Sequence, residues 1–156
     1  MAVNKNDDGN TGPLYNAENE WQRRNPKAGT EITAGQARKL SRQILNHPSL
    51  DGIPGVEQAR KSLLAKVSLR TGLLGKIAPG TSAATNGFGV TLYDKHTPIT
   101  VGTVTHETTH KIMVHREGEA PHGSQFSQLH SHIVNAALGP TARVNLNANY
   151  KKHNVK

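Results

Sequence analysis

The chain has 156 residues, of which 34% are apolar and 4% aromatic, with a net charge of +8 and no cysteine. This length fits one domain with a modest core. The absence of thiols excludes disulfides and cysteine-based metal sites, leaving His and carboxylate groups as the available protein ligands. No window approaches the roughly 18 apolar residues of a membrane span. Met1 to Asp8 is polar and lacks the apolar stretch of a signal peptide, so a cytoplasmic protein without a membrane partner is expected. The basic excess admits contact with nucleic acid, because no acidic residue follows Glu119 and Lys151, Lys152 and Lys156 lie near the end. Charge alone, however, carries neither groove geometry nor base readout.

Residues 1–12, rich in Asn, Asp and Gly, read as a disordered leader, and a single domain is expected over 13–156. Pro13 suits a first helical turn, and Leu14, Ala17 and Trp21 share one face of a helix over 13–24. Thr33-Ala34-Gly35-Gln36 reads as a capping box. It opens a helix to about Leu45, with Ala37, Leu40 and Ile44 inward. A turn-rich loop at Asp51–Gly55 leads to a helix from Val56 to about Lys66, with Val56, Ala59 and Leu63 on one face. Alternation predicts strands at 67–70 and 88–94. Between them, 71–87 is too long for an ordinary turn and reads as an irregular connection or a flap. Helices are predicted over 100–115, 123–138 and from Thr141 to about Tyr150, with Gly139-Pro140 separating the last two.

The most specific signal is His106-Glu107-Thr108-Thr109-His110, an H-E-x-x-H motif. On a helix, His106 and His110 lie four positions apart and project from one face, which suits one Zn²⁺. Glu107 then stands where a general base for the attacking water is needed. Two surface or core histidines that bind nothing are the plain alternative, and Glu107 could instead pair with Lys111 four residues on. Catalytic zinc usually takes three protein ligands. His122, between Pro121 and Gly123 at a helix entry, is the leading third. Gly123 is expected to let the backbone bend beside it, and Phe126 to pin the helix to the core. His115 falls on the opposite helical face, His130 and His132 lie further into the next helix, and Glu117 and Glu119 are acidic competitors. The longer H-E-x-x-H-x-x-G-x-x-H pattern fails at Met113 and Arg116. The Tyr150 phenol is a candidate for stabilising the oxyanion formed when water attacks a carbonyl, with helix packing as its competing role.

Two segments carry a resemblance. Val104-Thr105-His106-Glu107-Thr108-Thr109-His110 and Ala120-Pro121-His122-Gly123-Ser124-Gln125-Phe126 resemble paired motifs, V-x-H-E-x-x-H and A-x-H-G-x-x-F, of a family of small zinc metallohydrolases from actinobacteria and their phages. Leu138–Ala142 with Tyr150 and His153–Val155, and at the other end Leu14-Tyr15-Asn16-Ala17-Glu18, are similar to further segments of that family. The H-G-x-x-F element is also similar to SprT-like metallopeptidases, and that likeness implies His122 as the third zinc ligand. It implies host cytoplasm if the chain is phage-encoded. Thr108 and Thr109 stand where small or apolar residues are commoner in the family.

The expectation is therefore an α+β, minimal zincin-like domain, with a short β-sheet packed on the helix of His106 and His110 and further helices after it. Its expected function is zinc-dependent cleavage of an amide bond in a peptide or protein, with Glu107 as general base. The alternative is a basic nucleic-acid-associated or phage assembly protein whose zinc site is structural or a relic.

Overall fold

In the computed structural model, residues 9–61 and 99–156 are described with their side chains, and 68–69, 83–85 and 90–92 by their backbone. Apolar positions three and four apart build the helices. In α1 (Thr11–Arg24), Leu14, Ala17 and Trp21 are buried as their spacing predicts. The Trp21 indole N–H donates to the Ala142 carbonyl at 3.2 Å. The helix starts earlier than expected. Thr11 and Gly12 are helical and Asn10 is buried, which shortens the polar leader at its end.

The capping box of α2 (Ala34–Leu45) forms as predicted. Gln36 N–H donates to Thr33 Oγ1 at 3.2 Å, and Thr33 N–H to Gln36 Oε1 at 2.8 Å. A 3₁₀ turn (Pro48–Leu50) and α3 (Val56–Lys61) follow. The expected continuation of α3 past Lys61, including Leu63, lies outside the described residues.

α4 (Val101–Met113) carries the motif. Residues 28–32 lace onto its entry: Val101 N–H donates to Thr30 O at 3.1 Å and Gly102 N–H to Ala28 O at 2.8 Å. Thr100 Oγ1 caps Thr103 N–H at 3.0 Å. Three of the amides that a helix start leaves unpaired are thus satisfied. α4 is buried on nearly every side and packs between α2 and α5 (Ser124–Leu138). Its two unusual threonines fit this burial because their hydroxyls are bonded. Thr108 Oγ1 lies 3.1 Å from Ser41 Oγ on α2, and Thr109 Oγ1 donates to Thr105 O at 2.8 Å. Gly139, at φ +88°, breaks the chain sharply, and Pro140 opens α6 (Pro140–Lys152), which buries Ala142, Leu146 and Tyr150 at four-residue spacing.

The α+β expectation is corrected. Among the residues described with side chains, 68% are helical and none lies in a strand. Local alternation at 67–70 and 88–94 does give strands, β1 (Ser68–Leu69) and β3 (Val90–Leu92), and β2 (Ala83–Thr85) falls inside 71–87. They pair in the order β1-β3-β2, with Ser68 opposite Thr91 in parallel and Ala84 opposite Thr91 antiparallel. Strands of two or three residues are too short to supply the apolar face of a layer. The body that builds the site is helical, with a core running from Leu14 and Trp21 through Ile44, Ile112 and Phe126 to Leu146.

Candidate metal centre

The i, i+4 spacing on α4 puts the His106 and His110 rings side by side, with centroids 4.9 Å apart. His122, two residues before α5, comes across to meet them. One nitrogen from each of the three rings lies within 4.8 Å of the other two, and His110 Nε2 is 2.9 Å from His122 Nε2. Tetrahedral zinc at about 2.05 Å from each nitrogen needs spacings of about 3.3 Å, so small ring movements suffice. The Asn10 amide holds the third ligand from outside, donating to His122 O at 2.6 Å. Gly123 has φ −75° and ψ −171°, an extended conformation open to any residue, so no special bend is used there.

The donor set passes a test of fit. His106 is 4% exposed, and its Nε2 is a buried polar atom with no hydrogen-bond partner. Such an atom is costly unless something fills its lone pair. Its other nitrogen, Nδ1, bonds to Glu18 Oε2 at 2.7 Å. A carboxylate bonded to the other ring nitrogen is the usual companion of a ligating His, fixing its tautomer and orientation.

Phe126 forms the floor, its ring centroid 4.6–5.1 Å from those of His110, His106 and His122. Tyr15, half-exposed, stacks on His106 at 5.4 Å and meets the edge of His122 at 5.3 Å. Glu107 is buried, and its negative charge acts on both Tyr15 and His106.

Electrostatics follow from this packing. Burial, with the neighbouring His106 and His122, pushes the His110 pKa down to about 2, which keeps that imidazole neutral as a ligand must be. Burial would lower His106 as well, but the Glu18 carboxylate outweighs it and raises the imidazole above its ordinary value. Burial would raise Glu18, but His106 and His130 beside it hold it well below the carboxylate range. The Tyr15 phenol is pushed up to about 12 by burial, then by Glu107 and Glu18.

The remaining candidates fall elsewhere. His130 is fully buried with both nitrogens engaged: Nε2 lies 2.9 Å from Thr105 Oγ1, and Nδ1 2.6 Å from the Tyr150 hydroxyl. Tyr150 donates its proton to Glu18 Oε1 at 2.9 Å. That places the Tyr150 hydroxyl in a buried network with Glu18 and His130, the packing role the sequence also allowed. His132 and Glu117 are exposed, and His115 and Glu119 line a cleft with Gly55 and Glu57. Sequence reasoning missed Glu18, Tyr15 and Asn10. Glu18 had left a signal, a carboxylate in the apolar stripe of Leu14, Ala17 and Trp21, where an acid needs partners.

Comparison of the chain with protein-family models, with curated proteins and with solved structures finds no match.

Proposed function

We propose that this chain is a zinc-dependent hydrolase of amide bonds, a metallopeptidase acting on peptide or protein, with His106, His110 and His122 holding the ion. The observation that carries this reading is the unpartnered, buried Nε2 of His106 within the three-histidine cluster, beside the buried Glu107. Three imidazoles without a thiolate suit zinc, and the H-E-x-x-H pattern favours it over other imidazole-loving metals. When bound, the ion would lower the pKa of water toward about 7 and polarise the substrate carbonyl.

The chain supplies the rest. Glu107 takes a proton from the attacking water as its oxygen bonds to the carbonyl carbon. It passes that proton to the amide nitrogen as the C–N bond breaks. Tyr15, which stays protonated through neutral pH, faces the cluster and donates a hydrogen bond to the oxyanion, the role the sequence suggested for Tyr150. The lack of cysteine fits action in a reducing cytoplasm. Among the described residues, no helix is long and apolar enough to cross a membrane. The basic tail gives the nucleic-acid alternative less support than its charge suggests, because Lys152 and His153 both bond to Glu20 at 2.6 Å.

The test is Glu107→Gln assayed on peptide substrates with metal content measured in parallel. Full zinc with turnover reduced about 10²–10⁴-fold is expected. Undiminished turnover in that variant would remove the mechanism.

A further inference from the structure

We infer that Glu18 is a positioning residue of the metal centre and that α1 is thereby part of it. The inference rests on the three-histidine metal reading above and extends it to a residue 88 positions from its target. An ionised carboxylate only accepts hydrogen bonds, so the 2.7 Å contact from Glu18 Oε2 requires a proton on His106 Nδ1. In the neutral ring, the lone pair then sits on Nε2, the buried atom without a hydrogen-bond partner in a ring that clusters with His110 and His122. Glu18 therefore fixes both the tautomer and the aim of the first ligand of the motif.

The carboxylate is itself held in place. Tyr150 donates to Oε1 at 2.9 Å, and His130 Nδ1 lies 3.0 Å from the same oxygen. His130 Nε2 returns to Thr105, the residue before His106. α1, α4, α5 and α6 thus converge on one buried acid. Tyr15, three residues before Glu18 and so on the same side of α1, covers the face of the His106 ring. The ring is held at its Nδ1 edge and over its face by one helix.

The experiment measures zinc affinity by competition with a chromophoric chelator for the wild type, Glu18→Gln and Tyr150→Phe. Helical circular dichroism and the visible spectrum of the Co²⁺ form are recorded alongside. Gln keeps the size and an acceptor but loses the charge, and zinc binding about 10–100-fold weaker is expected, with helix content retained and altered Co²⁺ bands. Tyr150→Phe removes only the hydroxyl that holds Glu18. It is expected to weaken zinc binding several-fold in the same direction, and it decides the matter if Glu18→Gln does not fold. Affinity within twofold of wild type in either folded variant overturns the inference.

The two readings fail separately. Zinc binding that depends on Glu18 in a protein without hydrolase activity removes the hydrolase and leaves the positioning role. Hydrolysis with zinc affinity indifferent to Glu18 removes the positioning role alone. A wild type that binds no zinc removes both.

Discussion

Phe126 offers the sharpest test of how packing supports the centre. Its ring is fully buried, and its centroid lies 4.6 Å from that of His110, 4.9 Å from His106 and 5.1 Å from His122. Aromatic side chains bury about 150–250 Å², and at about 25 cal/mol/Å² that amounts to about 4–6 kcal/mol. Truncation to Ala keeps the Cβ and leaves a cavity, so a loss of about 3–5 kcal/mol is expected in the metal-free protein. This is a large share of the about 5–15 kcal/mol that usually holds a domain together. The same change removes the wall behind all three ligand rings, so zinc affinity should fall about tenfold or more. Phe126→Leu keeps most of the volume and should cost about 1 kcal/mol, with a smaller loss of affinity. Urea unfolding of the metal-free variants, followed by chelator competition, reads both quantities. A Phe126→Ala protein within about 1 kcal/mol of wild type that binds zinc as tightly would refute this packing role.

Other perturbations act on charge. Zinc binding should weaken as pH falls, because protons compete for the imidazoles. The raised His106 value makes that loss begin at higher pH than a free imidazole would give, and titration of zinc affinity between about pH 5 and 8 checks it. In the metal-free protein the same pairing with Glu18 acts the other way. Its stabilisation is present below pH 6.5 and lost as pH rises through the raised value. Glu20 is held down to about 2 by Lys152 and then His153, so its contribution is present above 4.5 and lost as pH falls from there toward about 2. Glu20→Gln should flatten that part of the acid-unfolding curve relative to wild type, and an unchanged curve would mean the pairs to α6 contribute nothing. Tyr15→Phe should keep zinc and folding while lowering kcat more than KM, as loss of an oxyanion donor does. A rise in KM alone would assign Tyr15 to substrate binding.

Much of the centre was legible because its signals are local. The capping box of Thr33 and Gln36, the spacing of Leu14, Ala17 and Trp21, and the H-E-x-x-H pattern each fit within one or two helical turns, and each stands where the sequence placed it. His122 was reachable too, since only the loop over 114–121 separates it from α4. The fold class was misread for a physical reason. Alternation at 67–70 and 88–94 marks strand-like backbone but not strand length, and a sheet layer needs length to bury a face. Glu18 and Tyr15 were overlooked because their partner lies far along the chain, and only the tertiary fold, in which α1 packs on α6, brings their side chains to His106. The surroundings of Tyr150 were hidden in the same way. A phenol about three turns into a helix can face either solvent or the core, and its hydroxyl is bonded to Glu18 inside.

The central claim is that three histidines from α4 and the entry of α5 share one metal ion. Metal content of untagged protein purified without added zinc, measured by mass spectrometry beside His122→Ala, tests it most directly. About one zinc per wild-type chain and far less in the variant is the predicted result. No zinc in the wild type after reconstitution, or equal zinc in His122→Ala, would contradict it.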